Sequence, residues 1–259
     1  MSGQLRFAAE RTARKLFARA GGRAMAAIQG PRPDRFIATG YGVRMRANWR
    51  DRTFQYAWAG SYGRALADLL ERRDRPFLFL DVGANQGLYS LIAARNPDCR
   101  HAIALEPVAA TFALLEANIA ANQADARIHA IRAALSDRAG ESAIRTHPNH
   151  SGAATLRIDH RFADQTEMVS LIRSDALMPH LPGDLPIVAK IDVEGHEETV
   201  IGELIASPFA ARIDTILYEV DERWTNPARL GHTLGRAGFT TVRKLGLGHH
   251  YDMLASRSA

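Results

Sequence analysis

Three short stretches bring together residue types that can do chemistry. Asp81-Val82-Gly83-Ala84-Asn85-Gln86-Gly87 follows the apolar run 77–80 and leads into the apolar stretch 88–94. A carboxylate at a strand end, then Gly-x-x-x-Gly, then a helix has the form of a nucleoside-binding turn. Gly83 lets the backbone come close to a ligand, and Gly87 lets the helix start tight against the sheet. A second apolar run, 101–105, ends in Glu106-Pro107. An acid at the end of the second strand is where a doubly wound fold holds a ribose hydroxyl pair. The third stretch, Lys190-Ile191-Asp192-Val193-Glu194-Gly195-His196-Glu197, closes the run 187–191. Strand alternation puts Lys190, Asp192 and Glu194 on one side until the chain turns, with Lys190 placed to neutralise the acids.

The turn argues for one kind of ligand. Nicotinamide and flavin sites place G-x-G-x-x-G here to seat a pyrophosphate on a helix N-terminus. This chain has Asn85 where the second glycine would stand, and Asp81 would repel a pyrophosphate. The stretch also lacks the Gly-Lys-Ser/Thr ending of a phosphate loop. A carboxylate suits a cationic partner, such as the amino group of S-adenosylmethionine, met directly or through water. The alternatives are a dinucleotide site and a ligand-free glycine turn. The expected cofactor contacts are Asp81, Gly83, Ala84, Asn85, Gly87, Glu106 and Pro107. Asp137 joins them as an acceptor for an adenine amino group, its alternative being a plain turn acid before Gly140.

Composition bounds the rest. The chain has 259 residues, 46% hydrophobic and 24% charged, enough for one large domain with an appended segment. It has no apolar run of ~18 residues. The basic N-terminus has no apolar core, so secretion is not expected. Cys99 is the only cysteine, which excludes an intramolecular disulfide and fits a reducing cytoplasm. The net charge of +5 is unevenly spread. Residues 1–75 hold sixteen Lys and Arg against six Asp and Glu, and the remainder holds seventeen against twenty-two. Thirty of the thirty-three basic residues are Arg, a preference that does not by itself indicate nucleic acid.

Three segments follow along the chain. Residues 1–30 form a basic amphipathic arm, with a helix expected over 4–20. Leu5, Ala9, Ala13, Leu16 and Ala20 lie on its apolar face, and Arg11, Arg14, Lys15 and Arg19 lie opposite. Gly21-Gly22 is expected to break it. Its partner is the core, a second subunit, or weakly an anionic membrane surface. Residues 31–75 form a lid or rim, with β pieces near 41–45 and 53–56 and a helix over 62–72. Residues 76–259 form the ligand-binding domain. Strands are expected near 77–81, 101–105, 127–131, 187–192, 213–219, 239–244 and 250–255. Helices are expected near 87–95, 108–121, 196–205 and 227–236. This alternation means parallel strands with crossover helices. Residues 139–175 interrupt it as a hairpin addition. The last two strands are joined by only Gly246-Leu247-Gly248 and must pair antiparallel.

The pieces Asp81–Gly87, Leu105-Glu106-Pro107, Ala134-Leu135-Ser136-Asp137, Lys190–Gly195 and Tyr218-Glu219-Val220 together resemble the FkbM-like methyltransferase family. The resemblance covers about residues 53–255, and Lys-Ile-Asp-Val-Glu-Gly is its most specific part. It implies a class I methyltransferase, Rossmann-like α/β fold: a mostly parallel seven-stranded sheet with an antiparallel last strand, plus an N-terminal helical and β extension. It also implies S-adenosylmethionine-dependent O-methylation of a sugar, polyketide or related metabolite.

In that setting an alcohol acceptor needs a base. Asp192, Glu194, His196 and Glu219 are the candidates, with the two acids at 192 and 194 ranked ahead of His196. The alternative for this stretch is a salt-bridged strand end with helix-cap acids. Ser151, Gly152 and Thr155 lie in a polar insertion placed to reach cofactor or acceptor. His147, His150 and His160 lack zinc spacing, so no metal is expected. A small molecule or carbohydrate is the expected acceptor. RNA is weighed because of the basic arm, but the charge is confined to that arm and no Asn/Asp-Pro-Pro-Tyr/Phe signature follows the fourth strand. A non-catalytic S-adenosylmethionine-binding scaffold is the other alternative.

Overall fold

The computed structural model describes residues 16–28, 35–157, 165–246 and 248–258. The described chain opens with helix α1 (residues 16–28), the hairpin β1 (Phe36–Ala38) and β2 (Arg44–Arg46), and helices α2 (Arg52–Trp58) and α3 (Arg64–Arg72). An alternating core follows: β3 (Phe77–Val82), α4 (Leu88–Arg95), β4 (Cys99–Leu105), α5 (Ala109–Ala121) and β5 (Ile128–Ile131). Next come β6 (Ala134–Leu135), β7 (Gly140–Thr146) and β8 (Gln165–Ile172), which form a small separate sheet in the order β6-β8-β7. The chain ends with β9 (Ile187–Ile191), α6 (Glu197–Ile205), β10 (Ile213–Asp221), α7 (Pro227–Arg236), β11 (Thr241–Leu245) and β12 (His250–Ser256).

The main sheet has seven strands in the order β11-β12-β10-β9-β3-β4-β5. β12 runs antiparallel to both neighbours, and the other described pairings within the sheet are parallel. Both faces of the central strands are covered, which is why β3 and β9 are apolar apart from Asp81 and Lys190 and buried at every position. Phe77 and Phe79 pack into one core with α3, α4 and α5, while Leu78, Leu80 and Val82 pack into the other with α6 and α7. That division is the two-residue period of a strand. The chain leaves β3 toward β4 and later returns to β9 on the other side. The strand order therefore reverses between β3 and β9, where ligands sit in such sheets. The register sets Asp81 beside Lys190.

The N-terminal segment departs from expectation. Residues 4–15 of the predicted first helix lie outside the described residues. The helix over 16–28 runs straight through Gly21-Gly22 instead of breaking there. A side chain at Gly22 would lie 2.5 Å from Gln55, and one at Gly21 would lie 3.1 Å from Trp58. The two glycines thus serve close packing against α2. The buried face runs through Ala18 and Gly22, and Leu16 and Ala20 point outward. The β piece expected at 53–56 is helical, because Asp51 caps it by accepting the Phe54 amide at 2.8 Å.

Candidate active site

The floor of the site comes from the β3–α4 turn. Gly83 has φ +77°, and a Cβ there would lie 2.0 Å from the Asp192 carbonyl oxygen. The turn after β3 therefore packs directly on the turn after β9, and only glycine fits. Glu106, at the end of β4, is buried in the wall of the cleft. One carboxylate oxygen accepts the Asn85 amide at 3.0 Å and the other accepts the Val108 amide at 3.0 Å. Burial pushes this carboxyl up to about 7, against the pull of those two amides. The cleft encloses about 610 Å³, its open mouth included. Val82, Gly83, Asn85, Glu106, Pro107 and Leu135 line it, along with Ser151 and Gly152. This volume suits a nucleoside-sized ligand. An oriented carboxylate with lone pairs to spare suits a vicinal hydroxyl pair.

Other expected cofactor residues sit differently. Asp81 does not line this cleft. It is fully buried, accepts the Ser90 hydroxyl at 2.7 Å, and lies 3.3 Å from the Lys190 ammonium. Lys190 also donates to the Gly83 carbonyl and lies 3.8 Å from Asp192. Burial opposes the charge on Lys190, but Asp81 and Asp192 outweigh it and hold the ammonium above its usual range. Ala84 is buried in the turn, and Gly87 packs on Leu115, which leaves no room for a Cβ. Asp137 is exposed beyond β6, accepts the Ser136 hydroxyl at 3.2 Å and borders a groove between α6 and α7. The chain turns there to start the β7–β8 hairpin, and Asp137 is not among the residues that line the cleft.

A larger polar chamber adjoins the cleft, enclosing about 1360 Å³ with its open mouth. Tyr62, Gly152, Asp192 and Glu194 line both spaces and form the seam between them. Tyr62 is well placed because the hydroxyls of Tyr41 and Tyr89 both donate to its carbonyl oxygen. Its own hydroxyl donates to Asp192 at 3.3 Å. Burial, and then the charge of Asp192, raise the Tyr62 phenol well above its normal range. Glu194 takes a left-handed backbone, φ +50°, held by the Thr155 hydroxyl donating to its carbonyl at 2.6 Å. A non-glycine residue in that conformation is a local strain found at functional turns. Its carboxyl is raised well above the usual range by burial, then by Glu219 and Asp192.

Glu219 stands two residues before the β10 position that pairs with His250, so the two side chains meet diagonally across the β10–β12 ladder. Burial raises the Glu219 carboxyl, and the His250 imidazole, itself raised by that hydrogen bond, pulls it back. Carboxylate oxygens of Asp192, Glu194 and Glu219 lie within 4.8 Å of one another. Such a trio could accept several hydrogen bonds from a polyhydroxylated molecule. Lys190, Tyr62 and His250 already partner two of its members.

His196 lies apart from that trio. It caps the start of α6 on the cleft side, 3.2 Å from the Ser136 hydroxyl, and burial lowers its pKa. The polar insertion is docked as expected from its residue types. The Ser151 hydroxyl donates to Asn85 at 2.9 Å, and its amide donates to Asp51. His150 lines the chamber, while His160 lies outside the described residues. Sequence reasoning missed Tyr62 and His250. Tyr62 sits in an irregular loop before α3 with no motif around it. His250 could have been found by pairing the last strand against the strand that ends in Glu219.

Comparison with known proteins bears on the family and the fold. The methyltransferase FkbM domain family matches residues 81–242. Methyltransferase sdnD of Sordaria araneosa is 30% identical over a 162-residue alignment, and the match covers 52% of this chain. The match spans 62% of that relative's length. Among solved structures, the METTL16 methyltransferase domain superposes with a TM-score of 0.54 at 11% identity, over 95% of this chain and 81% of that one. That likeness is one of fold: the class I methyltransferase sheet.

Proposed function

The chain belongs to the FkbM methyltransferase family, and from that premise we propose that it transfers a methyl group from S-adenosylmethionine to a hydroxyl of a small-molecule or carbohydrate acceptor. The seam carries this reading. A nucleoside-sized cleft and a larger polar chamber meet at Tyr62, Gly152, Asp192 and Glu194, as a two-substrate transfer needs. S-adenosylmethionine supplies a methyl on a sulfonium, activated for in-line displacement. Glu106 would hold the ribose hydroxyls, and the backbone of residues 83–85 would lie along the rest of the cofactor. Tyr62 and Gly152 narrow the passage between the two spaces, which orients the reactants and keeps water out.

The acceptor's chemistry follows from the chamber. Its wall includes Tyr56, Tyr89 and Tyr251 beside Glu219 and Asp252. Aromatic faces beside hydrogen-bond acceptors suit a polyhydroxylated molecule better than the phosphates of RNA, which the acidic seam would repel. Glu219 is the chamber carboxylate, beside the seam and backed by a cation-capable imidazole, and it takes the hydroxyl proton in this reading. Glu194, whose carboxyl is held well above the usual range by burial and by its acidic neighbours, hydrogen-bonds the acceptor beside it.

Mass spectrometry of metabolites and glycans from cells with and without the gene tests the proposal. A hydroxylated species heavier by about 14 daltons only when the gene is present is the expected result. A methylated nucleotide in RNA, with no change among metabolites and glycans, would overturn it.

A further inference from the structure

The outward face of α1 is apolar along the described helix. Leu16, Phe17 and Ile28 are 61%, 67% and 78% exposed, and Ala20, Ala24 and Ala27 between them are exposed too. On a helical wheel these six residues share one side, opposite buried Ala18 and Gly22. Arg19 and Arg23, both exposed, border the stripe. An apolar stripe edged by basic side chains on one helix has the composition of an interfacial helix.

The helix is also firmly mounted. The Arg19 Nε donates to the Tyr56 hydroxyl at 2.8 Å, Phe17 stacks on Trp58 at 6.5 Å, and the two glycines seat the helix on α2. The apolar face is thus presented by a fixed element that need not fold on binding.

We propose that this face docks on an anionic lipid surface. The stripe would enter the headgroup boundary, with Arg19 and Arg23 at the level of the lipid phosphates. The charge agrees: residues 1–28 hold six basic residues and one acid. The area argues against a second copy of the chain. Thirteen residues make a helix about 20 Å long and about 10 Å across, or roughly 200 Å² of face. A stable protein interface takes about 800 Å² from each partner. Arg19 also lines the acceptor chamber, so docking here sets the mouth of that chamber beside the membrane surface.

Flotation of the full chain with phosphatidylcholine vesicles, with and without phosphatidylglycerol, tests this independently of the acceptor. Binding to the phosphatidylglycerol vesicles, weakened by added salt, is expected. Replacing the three large exposed residues together, Leu16→Ser, Phe17→Ser and Ile28→Ser, should weaken binding at least about tenfold. Arg23→Glu should weaken it roughly tenfold. The Arg19–Tyr56 hydrogen bond and the glycine contacts on α2 still seat the helix when the Phe17–Trp58 stack is lost, so circular dichroism and affinity for S-adenosylhomocysteine should be unchanged in both variants. The proposal is overturned if the wild type ignores the anionic vesicles, binds both vesicle types equally, or loses nothing on substitution. It is equally overturned if the wild type sediments as a dimer that the triple variant converts to a monomer.

Discussion

The Tyr62 hydroxyl meets Asp192 at 3.3 Å across 130 residues of sequence, and this contact bridges the two ligand spaces. Tyr62→Phe keeps the ring and removes the donor. Affinity for S-adenosylhomocysteine should stay within about twofold, because the cofactor's own contacts are intact. Methyl transfer should drop roughly tenfold, about the value of one hydrogen bond to a charged group. Asp192→Asn should largely mask the effect of Tyr62→Phe in the double variant. Fully additive losses in kcat would show that the two residues act separately.

Glu219 and His250 should behave as a unit. Glu219→Gln keeps size and removes the base, so transfer should fall by ~10²–10⁴-fold with cofactor affinity nearly unchanged. The same substitution should move the His250 imidazole back toward its ordinary range, because the hydrogen bond to Glu219 is what raises it. Proton NMR titration reads that shift without any acceptor. If Glu219→Gln is fully active and Glu194→Gln is not, the proton goes to Glu194 instead.

Glu106 should make cofactor binding pH-dependent. Its carboxyl is raised to about 7 in the ligand-free protein, and ribose hydroxyls donate to the ionised form. The bound state therefore favours the carboxylate, so affinity is fully present above about 7 and falls as the pH drops through that value. Calorimetry with S-adenosylhomocysteine should show the decline. Glu106→Ala should weaken binding roughly ten- to hundredfold at high pH and flatten the profile. An unchanged affinity in the folded variant would remove Glu106 from the site.

Gly83→Ala should damage both spaces at once. The added methyl would lie 2.0 Å from the Asp192 carbonyl oxygen, and φ +77° is strained for any residue with a Cβ. Relief requires the β3 and β9 turns to part, so cofactor affinity and Tm should both fall. Gly202→Ala is the control, since nothing lies within 4 Å of a Cβ there. Equal Tm and affinity for the two variants would show that the turn contact is not tight.

Much of this was legible in the chain itself because its signals are local. Unbroken apolar runs, a Gly-x-x-x-Gly turn and an acid after the second run follow from strand burial and backbone reach, which are set within a few residues. They identified the parallel sheet, its antiparallel end and the two turns that face each other. Asp137 was ambiguous because an acid after a strand looks the same whether the next turn folds toward the ligand or away from it. Thr53–Tyr56 misled because β-branched and aromatic residues also suit a helix once Asp51 caps it. The seam and the carboxylate beside it were decided only by tertiary structure. Tyr62 is aimed by hydroxyls from Tyr41 and Tyr89, and Glu219 gains His250 only when β12 inserts beside β10. Pairing across a sheet depends on strand order and register, and those emerge when both cores close around the strands.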